Sequence, residues 1–275
     1  MADHELVVTG VTNDFRGHRH PPGAASVFRG RGGAPLDFRP GPTLEGATVL
    51  SKLRHRLRRG PSPKESAELG FWRDRLAAEG TLGNAHYERL FTEMFDVPRS
   101  FFSGKRILDL GCGPRGSLEW ATDARTRVGL DPLADRYREL GTGQHSMRYV
   151  NASAEDMPFD DASFDVVTSL NSLDHVDDLD SVLREIGRVT APGGSFLLEV
   201  ETGHDPTPSE PISVDADVLD RLAPWFEATG QRHFEMPGDH FVHDAYWRGG
   251  PYDTSRERHP GVLVAHLVRR AVSCG

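Results

Sequence analysis

The apolar positions of the chain change rhythm at Lys105. Beyond it, short apolar runs alternate with polar, glycine-bearing segments. Arg106 to Leu110, Thr126 to Leu130, Met147 to Asn151, Phe164 to Leu170 and Ser195 to Glu201 each have strand length and end in a turn signal. Between the fourth and fifth runs, Leu179, Val182, Leu183 and Ile186 form a helical stripe over Leu179 to Val189, closed by Pro192-Gly193-Gly194. A helix from Val214 with a bend near Pro224, a strand over Gln231 to Glu235 and a last strand over Gly261 to Val268 complete the pattern. Strands alternating with helices predict an α/β fold with a doubly wound, mostly parallel sheet of seven strands.

Two helices precede this unit. Ser62-Pro63-Lys64-Glu65 is a capping box with proline in the first turn. Leu69, Trp72 and Leu76 follow on one stripe, and Gly80 is the stop. Tyr87, Leu90, Phe91 and Met94 then share one face of a helix predicted over Asn84 to Phe95. Residues 62–104 therefore read as a helical cap and 105–270 as the main domain. Residues 1–61 are rich in glycine, proline and arginine, with Phe28-Arg-Gly-Arg-Gly-Gly33 the sharpest piece. They lack the apolar surface to offset ordering entropy and are expected to be disordered, apart from a short basic helix over Ser51 to Arg59.

Charge divides along the same boundary. Residues 1–61 carry ten Lys/Arg against five Asp/Glu, whereas the remainder carries 22 against 36. The acidic body does not favour nucleic acid, which needs cationic surface, but it suits a cationic ligand. The two cysteines, Cys112 and Cys274, have no metal-ligand spacing, so no metal is expected, and they make no disulfide framework. Without a basic, apolar leader or a membrane-length apolar run, the expectation is a cytoplasmic protein that does not engage membranes.

The densest chemistry lies in Ile107-Leu-Asp-Leu-Gly-Cys-Gly-Pro-Arg-Gly116. A strand feeds a glycine turn, and a helix is expected near Ser117. Gly111, Gly113 and Gly116 fit the GxGxxG spacing, and Asp131 stands at the end of the next strand, where an acid can hold a ribose. A nicotinamide dinucleotide and S-adenosyl-L-methionine both fit that much. Asp109, two residues before Gly111, separates them: its carboxylate repels a pyrophosphate and attracts an ammonium.

Asp109-Leu-Gly-Cys-Gly113 resembles the first motif of class I methyltransferases, and Gly129-Leu-Asp131-Pro132 the second. Ser153-Ala-Glu-Asp-Met-Pro-Phe159, followed by Ser163-Phe-Asp-Val-Val167, is similar to the third and the approach to the fourth. Leu183 to Val189 and Pro192-Gly-Gly194 complete the order. The resemblance covers about residues 105–200 and is to the small-molecule type that includes ubiquinone and menaquinone methylases. It implies a Rossmann-like fold, S-adenosyl-L-methionine as cofactor and a small-molecule methyl acceptor. It further implies that Asp109, Gly111, Cys112 and Gly113 hold the amino-acid end of the cofactor. Asp131 would bind the ribose and Pro132 the adenine face. Ser153, Ala154 and Glu155 would meet the adenine edge, with serine standing where the family often has aspartate. Asn171 would line the methionine part, and Tyr87 would close over the cofactor from the cap.

His175 and His204 follow the fourth and fifth strands, each with an acid beside it in sequence, and are the candidate catalytic bases. Plainer readings stand beside these. Asp109 and Asp131 can cap turns, Glu155 can be a solvated acid, Asn171 an Asx-turn residue, and Tyr87 a core aromatic. Either histidine can bind substrate or pack against a loop. Tyr246, Trp247 and Tyr252 can line an acceptor pocket or belong to the core. The leading function is methyl transfer to a small molecule at O, N, C or S. The alternatives are an RNA or ribonucleoprotein methyltransferase docking through the basic tail, a cofactor-binding protein without turnover, and a nicotinamide oxidoreductase.

Overall fold

The computed structural model describes residues 61–238 and 241–271. The basic tail and Cys274 lie outside the described residues. Seven strands form one sheet in the order β3-β2-β1-β4-β5-β7-β6. They are β1 (Arg106–Leu110), β2 (Thr126–Leu130), β3 (Arg148–Val150), β4 (Phe164–Leu170), β5 (Thr190–Thr202), β6 (Phe226–Glu235) and β7 (Gly261–Arg269). The first five pair in parallel, and β7 inserts antiparallel between β5 and β6. The chain leaves β1 toward β2 and β3, then returns to lay β4 on the other side. The carboxyl end of β1 therefore sits at the switch point where open α/β sheets bind ligands.

Alternate residues of the inner strands feed two apolar layers. Leu108, Leu110, Val167, Phe196 and Leu198 face one side and pack with α3 (Leu179–Val189) and α4 (Val218–Leu222). Ile107, Val166, Leu197 and Val264 face the other side and pack with the cap residues Leu90, Phe91, Met94 and Phe102. Burial on both faces explains why these strands read as nearly continuous apolar runs. In the cap, α1 (Pro63–Glu79) has the full capping box, with the Ser62 and Glu65 side chains bonded to each other's backbone N–H groups, and stops at Gly80. Its Leu69 joins Leu133, Tyr137 and Leu140 in a satellite cluster beside β2.

Four expectations need correction. No helix starts near Ser117: residues 111–125 are turns, because Gly116 takes φ +78° and only nine residues separate it from β2. The second cap helix is α2 (Tyr87–Thr92), finished by a 3-10 turn over Glu93–Phe95. The helix expected from Val214 begins at Val218 and is over before Pro224. Proline therefore ends this segment rather than bending it, and β6 starts at Phe226, five residues ahead of the expected Gln231, in register with Arg269 at the end of β7. Finally, α3 spans Leu179–Val189 as expected, but Pro192-Gly193-Gly194 is not its stop: the Thr190 hydroxyl donates to the carbonyl of Ile186 at 2.7 Å, and β5 opens at Thr190, five residues ahead of the expected Ser195.

Ile186 is fully buried under the centre of the sheet. Truncating Ile186→Ala is expected to cost about 3 kcal/mol. Urea unfolding should show a lower midpoint at an unchanged slope, and a midpoint equal to wild type would contradict this packing.

Candidate functional site

The tips of β1 and β2 carry two buried acids. Register places Asp109 between Gly129 of β2 and Thr168 of β4. Thr168 thus reaches one Asp109 oxygen at 2.6 Å, and the Ser117 hydroxyl reaches the other at 2.5 Å. Gly129, having no side chain, leaves room for the Cys112 sulfur, which points into the core. Only the Cys112 backbone remains in the turn. Asp131 accepts hydrogen bonds from the backbone N–H groups of Gly113, at 3.2 Å, and Leu133, at 2.8 Å. Gly111 and Gly113 take φ +65° and +57°, a region that glycine enters without strain.

Burial dominates the electrostatics of both acids. It pushes Asp109 up to about 6 against the pull of the Ser117 and Thr168 hydroxyls. It pushes Asp131 up to about 7 against the two backbone donors. No basic side chain is hydrogen-bonded to either carboxyl among the described residues.

The crevice beside these tips is roofed by the protein's own side chains. A Cβ on Gly113 would lie 3.2 Å from the Trp72 ring of α1, and one on Gly111 would lie 2.4 Å from the Ser172 Cβ. Ion pairs hold the roof down. Arg115 forks onto Glu79 at 2.6 and 2.7 Å, Arg73 meets Glu139 at 3.2 Å, and Lys64 bonds the His175 carbonyl and pairs with Asp177 at 3.3 Å. A cavity of about 240 Å³ opens elsewhere, lined by residues including Met94, Arg232 and His266.

The remaining sequence candidates are scattered around the rim. Pro132 is exposed next to Asp131. The Ser153 hydroxyl donates to Glu155, whose other oxygen accepts from the Asp177 N–H at 2.8 Å, so Glu155 braces the loop after β4. Ala154 packs against the core. Asn171, at φ +48°, bonds the ends of β4 and β5 together through the Glu199 carbonyl and the Glu201 N–H. Tyr87 is half-buried on α2, and burial raises its hydroxyl pKa.

Residues 108–198, spanning β1 to β5, match the family of methyltransferase domains. This segment is a class I methyltransferase domain. Its relatives act on different acceptors. A ubiquinone/menaquinone biosynthesis C-methyltransferase from Idiomarina loihiensis is 46% identical over 76 residues, 28% of each chain. A sarcosine/dimethylglycine N-methyltransferase from Halorhodospira halochloris is 32% identical over 49% of this chain and 50% of its own. A malonyl-[acyl-carrier protein] O-methyltransferase from Erwinia billingiae is 30% identical over 58% of this chain and 65% of its own. The chain thus spans 28 to 65% of the length of these relatives. In architecture the methyltransferase domain resembles the YcgJ protein of Bacillus subtilis, with a TM-score of 0.50 at 15% identity over 68% of this chain and all of that one.

The methyl donor of this domain class is S-adenosyl-L-methionine, and the methyltransferase domain fits it in charge but not yet in space. Two desolvated carboxyls without a cation are what an ammonium and a ribose diol would satisfy. The Trp72 ring covers the glycine turn.

Sequence reasoning missed a third buried acid, on the sheet face that carries Asp109 and two residues nearer the carboxyl ends of the parallel strands. Glu199 of β5 is fully buried and accepts from His243 Nδ1 at 2.6 Å, and its other oxygen has no hydrogen-bond partner. Burial lowers the His243 pKa, but the charge and hydrogen bond of Glu199, with the charges of Asp244 and Asp109, together outweigh it and raise the pKa. The signal was a lone acid inside the apolar run Phe196-Leu-Leu-Glu-Val200. His175 and His204 instead converge on Asp174, at 3.9 and 3.8 Å.

The buried acids set a pH dependence. Because Asp109 and Asp131 are raised, the folded state keeps protons that the unfolded chain releases near pH 4. Their contribution to stability is full below about pH 4 and is lost as pH rises to about 7. Asp131→Asn is therefore expected to gain on wild type by on the order of 2 kcal/mol between pH 5 and pH 8 in cofactor-free urea unfolding. A difference that is the same at both pH values would contradict it.

Proposed function

We propose that this chain transfers a methyl group from S-adenosyl-L-methionine to a small-molecule acceptor. The observation that carries the reading is the pair of uncompensated, buried carboxyls, Asp109 and Asp131, flanking a turn with two left-handed glycines. In this reading Asp109 takes the ammonium of the donor, which would return its pKa toward the ordinary range. Asp131 accepts from both ribose hydroxyls, for which a carboxylate has the capacity. The Gly111 to Gly113 backbone follows the amino-acid end, Pro132 offers its ring to the adenine face, and the Ser153 to Glu155 loop meets the adenine edge. Asn171 acts by holding that end of the sheet in shape.

When bound, the donor supplies an electrophilic methyl carbon with sulfur as its leaving group. The chain's own work is to hold the acceptor atom behind that carbon and to exclude water. An acceptor hydroxyl, amine, thiol or acidic carbon also has a proton to lose. Glu199 and His243 are the groups we assign to receive it. They lie on the sheet face that carries Asp109, and the electrostatic coupling of His243 to Asp109 supports their closeness. A base so placed is worth about 10² to 10⁴ in rate where the acceptor must be deprotonated.

Isothermal titration with S-adenosyl-L-methionine, S-adenosylhomocysteine and NADH in parallel tests the reading. Micromolar binding of the first two, silence from the third and at least a tenfold loss in Asp131→Ala are expected; binding of NADH alone would overturn it. The roof gives a kinetic signature. Trp72→Ala should raise the association rate constant for S-adenosyl-L-methionine severalfold in stopped flow, and an unchanged rate would show that α1 does not control entry.

A further inference from the structure

Away from the strand tips of β1 and β2, four side chains from two loops converge. Asp174 and His175 follow β4, and His204 and Glu210 follow β5. Asp174 is fully buried, and neither of its carboxylate oxygens accepts a hydrogen bond from another residue. His175 Nε2 lies 3.9 Å from Asp174 Oδ1 and 3.9 Å from Glu210 Oε1, and one donor atom from each of these three residues falls within 4.8 Å of the others. His204 Nε2, also buried without a partner, lies 3.8 Å from Asp174 Oδ2.

The tautomer of His204 sharpens the problem. Its Nδ1 lies 2.9 Å from the Asp205 carbonyl, an acceptor only, so Nδ1 carries a proton. In the neutral ring the Nε2 lone pair then faces a carboxylate across a gap too long for a hydrogen bond. A lone pair and a buried anion facing each other leave Asp174 short of positive charge, which a proton on the ring or a metal ion beside the carboxylate can supply.

We propose that Asp174, His175 and Glu210 bind one divalent first-row transition ion, with His204 facing the other oxygen of Asp174. An imidazole with two carboxylates suits zinc, cobalt or manganese better than magnesium or calcium, which take oxygen alone. Ligand atoms about 2.1 Å from a tetrahedral centre are about 3.4 Å apart, so the 3.9 Å separations of His175 Nε2 from the two carboxylates close with a shift of about half an ångström. Asp174 is the buried floor of the site. His175 and Glu210, about one-third exposed, leave an entry from solvent. The ion would tie the loop after β4 to the loop after β5, which already share the bond from the Ile212 N–H to the Asp174 carbonyl. Cysteine counting could not reveal this donor set, because its members are not thiolates and come from two loops.

The test uses the full chain stripped with chelator and titrated with cobalt(II). One saturable equivalent, visible ligand-field bands and a melting temperature raised by about 5 °C at a hundredfold excess over Kd are expected. Asp174→Asn should weaken binding at least a hundredfold. Glu210→Gln, on the surface and safe for folding, should weaken it about tenfold. The absence of bands and of saturable binding in the wild type would overturn the proposal, as would equal affinity in both variants. S-Adenosyl-L-methionine binding measured in chelator stays independent of the outcome, so failure of the metal site is distinguishable from failure of the methyl-donor reading.

Discussion

The organisation of this molecule follows from the cost of burying two carboxyl groups at neighbouring strand tips. Water is kept from both, and the partners on hand are hydroxyls and backbone N–H groups rather than a cation. Such partners soften desolvation without cancelling it, which is why burial still governs where both groups titrate. A fold that keeps acids in this state gives up stability when nothing is bound and recovers it from a ligand that supplies the missing positive charge and donors. The site and the weak point of the fold are the same place.

The cap answers that weakness. Its first helix lays an indole over the glycine turn and fastens itself through arginine and lysine pairs to the loops on either side. The Arg73 pair is exposed and weak, whereas the forked Arg115–Glu79 pair is largely covered. The buried part of the attachment is one small cluster around Leu69 and Tyr137. Beneath the second cap helix, Asp109, Thr168 and Glu199 are buried among the apolar residues of the sheet face.

Most of the sheet was legible in the sequence, because strands buried on both sides must be apolar along their length, and Asp109, Gly111, Gly113 and Asp131, singled out there, lie together at the tips of β1 and β2. What escaped was set by tertiary distance or by local competition. The helix expected at Ser117 is absent, because Gly116 turns the chain and Ser117 is committed to Asp109. Glu155 and Asn171, singled out by order of motif, also brace neighbouring segments, a role their sequence positions did not reveal. Glu199 and His243 are 44 positions apart and meet only through the register of β5 and the turn before α5 (Ala245–Arg248). His175 and His204 had an acid beside them in sequence, but the structure gives both of them the same one, Asp174.

The two outermost strands are unlike each other. On one side β3 has only three residues, too few to template another strand. On the other, β6 has ten, but its pairing slips between Ala228 and Gly230, its outward positions include Glu227 and Arg232, and its far end is bridged by Pro251. Brevity guards one border, and a bulge with charge guards the other. A parallel sheet assembles slowly from distant segments and leaves its margins open meanwhile. Margins built this way let the chain pass through that interval without inviting ladder-wise aggregation.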